Sequence, residues 1–358
     1  MRKQLLITLS FSIMLSSCTF VSDDKSEFSS DTDNESSVIS VDKTEAKTID
    51  LFAMDTYMTL SAYGENAENA LNKAKERINQ LDSLLSTGNK NSEIYSLNLN
   101  GKGSLSEDTS EVFKSALDIS EQTKGAFNPV VYPLMEAWGF ADKNFRIPDN
   151  ETISKLLTLT DTNNIDFNNN DVSFQKEGMK VDFGGIAKGY TSSKIMDIFK
   201  ESGVESGMIC LGGNVQVLGT KPDGSLWRVA IQNPDSETEY LGILQISDKA
   251  VITSGSYERY FEQNGKRYHH ILDPKTGYPS ESGLKSVTII SNDGTLADGL
   301  STALFVMGLD KALSFWKLHS DEFDVIFYSE ENELYITDGV KDYFSSDLDY
   351  EVIEKESL

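Results

Sequence analysis

The residues that could do chemistry fall in separate places along the chain. His269 and His270 stand side by side within Val251–Pro279, a stretch that also gathers Arg259, Lys266, Arg267 and Lys275. The whole chain carries a formal net charge of −25. A local reversal of sign therefore marks a place where an anion could be held against the general field. Further on, Asp298 and Thr302 are four residues apart and stack on one face if that segment is helical. A carboxylate and a hydroxyl one turn apart can both reach a hard cation such as Mg²⁺. Thr295-x-x-Asp298 fits a helix-start box equally well, with Asp298 folding back on a backbone N–H and no metal involved. Upstream, Gly184-Gly185 opens a turn ahead of Ala187-Lys188-Gly189-Tyr190. Glycines before a helix let backbone N–H groups approach phosphate oxygens at the positive end of the dipole, and Lys188 could add a point charge. The spacing is neither a Walker loop nor the dinucleotide fingerprint, so by itself it is a weak signal.

The elements that must position these groups follow from periodicity. Met58, Leu60 and Ala62 alternate with Thr59, Ser61 and Tyr63, which predicts a half-buried strand after Met54-Asp55-Thr56. Ala67, Ala70, Leu71, Ala74, Ile78, Leu81 and Leu85 predict an amphipathic helix that breaks at Gly88-Asn89-Lys90-Asn91. A second helix is expected over Ser110–Thr123, with Val112, Phe113, Ala116, Leu117 and Ile119 inward. Pro129 and Pro133 argue for a shaped loop leading to Trp138-Gly139-Phe140. Its aromatic residues fit a binding wall or a packed connector equally well. The glycine turn runs into a helix over Ala187–Glu201. Strands are expected at Met208–Leu211, Val215–Val217, Trp227–Ile231, Gly242–Ile246 and Ala250–Thr253 in one antiparallel sheet. Asn264-Gly265 makes Lys266–Leu272 the second strand of a hairpin, and alternation turns His269 toward solvent. The expected class is α+β: a mixed, mainly antiparallel sheet with packed helices, in two intimately joined lobes.

Length and composition bound the rest. The 358 residues, 39% of them hydrophobic, suffice for one large domain. The acidity excludes nucleic acid as main partner, since phosphate backbones need a broad basic face. Arg2 and Lys3 precede an apolar run, Leu5–Leu15, that is too short to span a bilayer. It ends in Leu15-Ser16-Ser17-Cys18, which resembles a bacterial lipoprotein cleavage box with Cys18 lipidated. An ordinary secretory peptide is the alternative. The expected organisation is a signal peptide (1–18), a disordered acidic tether (19–47), a folded domain (48–345) and an acidic tail (346–358). Cys210 is then the one cysteine expected in the mature chain, and the domain is expected to rely on its core. The expected location is outside the cytoplasm, anchored to a membrane.

Taken together, the motifs resemble the ApbE family, the FAD:protein FMN transferases. The resemblance runs from Met54 to Thr337 through Met54-Asp55-Thr56, Gly125-Ala126-Phe127-Asn128-Pro129, Trp138-Gly139-Phe140, Val181–Tyr190 and Leu211-Gly212-Gly213-Asn214. Val229–Pro234, Thr253–Tyr260, His269–Pro279 and Leu296–Gly308 continue it in order. It implies an enzyme that binds FAD with Mg²⁺, breaks the pyrophosphate, releases AMP and leaves FMN on a threonine or serine of a target protein. The implied metal ligands are the Ala187 carbonyl, Asp298 and Thr302. The implied flavin-binding positions are Met54, Ala126, Phe127, Asn128, Gly184, Tyr190 and Leu272, with Lys188 and Arg259 as further phosphate contacts. His270 is the candidate general base, or else a residue that orients phosphate. The implied partners are exported or membrane redox proteins with a Ser/Thr-Gly-Ala-Thr type acceptor site, which this chain does not itself clearly contain. Two positions depart from the family pattern. Asp55 stands where many relatives have glycine, and Gly88 stands where many have an aromatic residue against the flavin. The second leaves room for water and raises an alternative, FAD hydrolysis to FMN and AMP. A flavin-binding lipoprotein without catalysis is the other alternative, although it would have no use for His270, Asp298 and Thr302 together.

Overall fold

A computed structural model describes residues 45–357. Cys18, the signal-like segment and most of the 19–47 stretch lie outside those residues. The helices are α1 (Ala67–Leu85), α2 (Glu93–Asn100), α3 (Glu107–Gln122), α4 (Tyr132–Trp138), α5 (Asn150–Leu157), α6 (Ala187–Glu201), α7 (Gly294–Met307) and α8 (Leu309–Leu318). The apolar stripe expected for α1, from Ala67 to Leu85, is the face that is buried. Among the described residues no helix is long and apolar enough to cross a membrane.

The Met58–Ala62 alternation becomes the strand Thr56–Ala62, with Met58, Leu60 and Ala62 fully buried. It pairs with Lys47–Ala53 through Met54 and Asp55, both at positive φ, 50° and 59°. A two-residue turn of this hand matches the twist of the flanking strands. Glycine adopts this conformation most easily. Aspartate is one of the few side chains that enters the left-handed region at small cost.

A nine-stranded sheet runs through the protein. Its spatial order is Lys47–Ala53, Thr56–Ala62, Gly207–Leu211, Asn214–Leu218, Ala250–Gly255, Leu284–Ser291, Phe323–Ser329, Leu334–Thr337 and Tyr350–Ile353. All pairs are antiparallel except the last, where Tyr350–Ile353 lies parallel to Leu334–Thr337. Two expectations change here. The folded domain runs past 345, because a strand within the stretch read as an acidic tail forms the sheet edge and buries Ile353. Trp227–Gln232 and Tyr240–Ile246 form a separate three-stranded sheet with Phe344–Ser345. That small sheet covers one face of the large one, setting Trp227, Leu244 and Ile246 against Val217, Val251 and Ile326.

The other face carries the helices. α1 and α6 close a core over Met58, Leu60, Ile209 and Leu211. α3, α7 and α8 close another over Ala250, Ile252, Val287 and Ile289. These are the two lobes, and they are joined where α6 crosses α7.

The proline-rich segment is not all loop. α4 tolerates Pro133 because it lies in the first turn, where its missing N–H has no helical partner to lose. The aromatic residues are packing. Trp138 and Phe140 are buried against Phe261, Tyr268 and Tyr278, and the Trp138 indole donates to the Gly277 carbonyl at 2.8 Å. Gly277 must be glycine. Its φ is 75°, and a Cβ there would lie 2.6 Å from Ile153.

Candidate active site

Asp298 owes its position to two helix starts. The N-cap of α7 is Asp293, whose carboxylate accepts the N–H groups of Thr295 and Leu296 at 2.7 and 3.3 Å. The Thr295-x-x-Asp298 box is therefore not formed. Asp298 lies one turn further on and is only 4% exposed. Its Oδ2 accepts the Gly189 N–H at 2.8 Å and its Oδ1 accepts the Asn214 amide at 3.0 Å. Gly189 is in the first turn of α6, where N–H groups have no intrahelical acceptor, so the carboxylate also meets the positive end of that dipole. The approach depends on a missing side chain. A Cβ at 189 would sit 2.1 Å from the Gly294 carbonyl oxygen and 2.5 Å from the Asp298 Cβ.

Thr302 follows one turn along α7. Its hydroxyl is 3.3 Å from that of Ser254, and a Cβ on Gly185 would come within 3.4 Å of it. The carbonyl of Ala187, the first residue of α6, accepts the Thr191 hydroxyl at 2.7 Å. The crossing thus offers a carboxylate, a hydroxyl and a carbonyl, oxygen donors of the kind Mg²⁺ takes alongside water and phosphate. Among the described residues no group of three or more His, Cys, Asp or Glu side chains could hold a metal. A metal at this crossing therefore has a sparse protein shell.

The basic hairpin supplies the facing wall, through fewer residues than its sequence suggests. Tyr260–Gln263 and Lys266–His269 pair alone as a two-stranded sheet. Lys266 and Arg267 are on the outside, paired with Glu281 at 2.7 Å and Glu262 at 3.6 Å. Arg259, by contrast, reaches the Phe140 carbonyl at 3.3 Å. Its charge and that of Lys188 both act on Asp182, Glu258 and His270. The glycine turn and the hairpin therefore line one cleft.

His270 is half-buried there. Its backbone N–H and its Nδ1 both meet the Arg259 carbonyl, at 2.9 and 3.2 Å. A carbonyl can only accept, so Nδ1 carries the proton and Nε2 keeps its lone pair. Burial, with Arg259 and His269 nearby, pushes the imidazole down to about 3, which keeps it neutral at ordinary pH. His269 corrects the expectation that it faces solvent. Adjacent side chains do diverge, but at this end of the strand both directions meet protein. His269 is buried, bonds the Ser280 carbonyl through Nε2 at 3.0 Å and meets Phe305 edge-on.

The remaining expected positions divide between cleft and framework. Met54 touches the start of α6, with its sulfur 3.6 Å from the Thr191 hydroxyl and its N–H bound to Asp82 at 3.1 Å. Ala126 and Phe127 are buried, and the Phe127 ring lies 3.2 Å from where a Gly185 Cβ would be. Gly184 is exposed, its N–H held by Asp182 at 2.9 Å. The Asn128 side chain bonds the Thr160 carbonyl and the Val130 N–H, both at 2.8 Å, so it shapes the loop. Tyr190 directs its hydroxyl to Asp108 and Glu111 on α3, at 3.1 and 2.8 Å, and burial with these acids drives its pKa up. Leu272 packs among Leu134, Trp138, Phe140 and Ile153.

Other contributors carried little sequence signal. In the sequence Asn214 is only one member of the Leu211-Gly212-Gly213-Asn214 motif. Asn98 grips Val181 through both its carbonyl and N–H, at 2.8 and 2.7 Å, and so fixes the segment entering the glycine turn. Glu258 is exposed at the hairpin yet hemmed by protein, and that desolvation pushes its carboxyl up to about 7.

Comparison with known proteins agrees with this architecture. Residues 54–327 match the ApbE family. A protein of Klebsiella pneumoniae named FAD:protein FMN transferase is 34% identical over 285 residues, covering 77% of this chain and 88% of its own. The solved structure of the ApbE protein of Thermotoga maritima superposes with a TM-score of 0.79 at 32% identity, covering 84% of this chain and 99% of that one. The flavin transferase ApbE of Vibrio cholerae does so with a TM-score of 0.76 at 26% identity, over 84% and 100%.

Proposed function

The chain belongs to the ApbE family, and from that premise we propose that it moves FMN from FAD onto a threonine or serine hydroxyl of a target protein, releasing AMP. The observations that carry this reading are a buried carboxylate at the α6–α7 crossing and an imidazole, near Lys188 and Arg259, whose Nε2 keeps its lone pair to accept a proton. The acceptor Oγ attacks the phosphorus of the FMN half, the P–O bond to the AMP phosphate breaks, and the hydroxyl proton passes to His270 Nε2. Lys188 and Arg259 hold the diphosphate and offset its charge. Asp298, Thr302 and the Ala187 carbonyl would hold Mg²⁺, which when bound supplies charge neutralisation between the two phosphates. Asn214 and the Gly189 N–H keep the Asp298 carboxylate aimed.

Burial and the neighbouring positive charges make His270 a weak base. The incoming diphosphate carries negative charge, which favours imidazolium and raises its basicity as the substrate binds. A second reading, hydrolysis of FAD to FMN and AMP, draws on the open space at Gly88, where a Cβ would touch nothing within 4 Å. Attachment to a membrane outside the cytoplasm through a lipid on Cys18, with exported or membrane redox proteins as targets, completes the proposal. It draws on the signal-like N-terminus alone.

The test is incubation with FAD, Mg²⁺ and an acceptor peptide bearing Ser/Thr-Gly-Ala-Thr. Covalent flavin fluorescence on the peptide, abolished by chelator, is the expected result. AMP and free FMN with an unlabelled peptide would replace the transferase with the hydrolase. Flavin binding without AMP would leave neither.

A further inference from the structure

A line of hydroxyl groups runs behind Thr302. Ser254, on the strand Ala250–Gly255, has its hydroxyl 2.8 Å from that of Ser301 and 3.3 Å from that of Thr302. Ser301 is buried, and its hydroxyl lies 2.8 Å from the Asp298 carbonyl. A carbonyl only accepts, so the single proton of Ser301 points at Asp298. The Ser301 oxygen must then accept, and the proton between it and Ser254 is the one that Ser254 carries. That leaves the Ser254 oxygen to accept from Thr302. The line therefore runs from Thr302 to Ser254 to Ser301 to the Asp298 carbonyl, with every hydroxyl donating the same way. A threonine inside a helix ordinarily turns its proton to a carbonyl three or four residues back, and for Thr302 the carbonyl four back is that of Asp298. Ser301 donates there instead, and among the described residues Ser254 is the only protein partner of the Thr302 hydroxyl.

A hydroxyl has one proton and two lone pairs. A cation takes a lone pair, and a hydrogen bond donated into the oxygen would compete for it. We infer that Ser254 is a positioning residue that draws the Thr302 proton out of the cleft and leaves the lone pairs of that oxygen to a metal. Gly185 borders the same oxygen without a side chain, since a Cβ there would lie 3.4 Å from it. The inference rests on the proposed function, in which Thr302 holds Mg²⁺, and adds the groups that prepare it. Partners one step behind a ligand set its orientation and its affinity for the ion.

The test titrates Mn²⁺ into the full chain with FAD present and acceptor absent, and reads protein-bound metal by electron paramagnetic resonance. Ser254→Ala should weaken the metal roughly ten- to hundredfold, with FAD affinity in the absence of metal unchanged. Ser254→Thr keeps the accepting oxygen and should keep the metal affinity. Ser301→Ala frees the Ser254 proton to turn onto Thr302, so it should weaken the metal too, although the lost hydroxyl bonds Ser254 rather than Thr302. Adding it to Ser254→Ala should cost nothing more, because the line is already cut. Unchanged Mn²⁺ affinity in Ser254→Ala would overturn the inference. So would losses in the two alanine variants that simply add, or Ser254→Thr losing as much as Ser254→Ala, since Ser254 would then act through packing. Wild-type protein that takes up no Mn²⁺ beyond what FAD alone binds, or whose uptake survives Asp298→Asn, would instead overturn the metal site of the proposed function.

Discussion

The two walls of the cleft are built in opposite ways. On one side, Asp298 is enclosed between two helices that touch through glycine, and both its oxygens accept hydrogen bonds. On the other, His270 follows a strand of a two-stranded ribbon whose hydrogen-bonded partners are only each other. A carboxylate that holds a cation gains from a rigid, fully partnered setting, because its geometry must not relax when the charge arrives. A base that exchanges a proton with an incoming protein gains from lying at an accessible edge. The difference implies that the helix side tolerates no change of shape, whereas the hairpin side tolerates change of shape but not of chemistry.

The largest expected effect comes from charge on the helix side. Asp298→Asn keeps the shape and removes the carboxylate, and should slow FMN transfer roughly 10³- to 10⁵-fold, measured as acceptor labelling at saturating FAD. On the hairpin side, His270→Asn should slow transfer about 10²- to 10⁴-fold while leaving the thermal midpoint nearly unchanged. A comparable loss of stability in both variants would erase the contrast between the walls. Gly189→Ala tests shape directly. Its methyl group must displace the Gly294 backbone or Asp298, so denaturant unfolding should show a loss of about 3 kcal/mol.

Titration probes the hairpin wall without a mutation in the helix crossing. Burial raises the Glu258 carboxyl to about 7, so the stability it contributes is present at low pH and lost as pH rises through 7. His270 is pushed down to about 3, so its contribution is present above its ordinary range near 6.5 and lost as pH falls toward 3. Glu258→Gln should therefore flatten the alkaline arm of the stability profile, and His270→Asn the acid arm. The smallest effect belongs to the turn beside the cleft. Asp55→Gly relieves a positive φ of 59° at the cost of a looser unfolded chain, and should change stability by no more than about 0.5 kcal/mol.

What the sequence made legible was what periodicity and local rules determine. The buried stripe of α1 and the bounds of α6 follow from helical spacing and the flanking glycines. The small sheet was hidden because its third strand is only Phe344–Ser345, too short to leave a pattern. The parallel edge strand lay in an acidic stretch that reads as solvated. His269 is buried against the alternation rule, because alternation gives opposite directions but not what covers each side. In the site, chemically distinctive residues such as His270, Asp298 and Lys188 could be named from the sequence. Their holders could not, since Gly189 acts through a backbone N–H and Asn98 and Asn214 act across distances of more than eighty residues.

The measurement that bears most directly on the proposed chemistry is a single turnover with FAD, Mg²⁺ and excess acceptor protein, counting AMP released against acceptor threonine modified. Transfer between the two walls predicts one AMP for each modified threonine, with both lost together in Asp298→Asn. AMP released by the wild type over unmodified acceptor, or labelling that persists in Asp298→Asn, would contradict it.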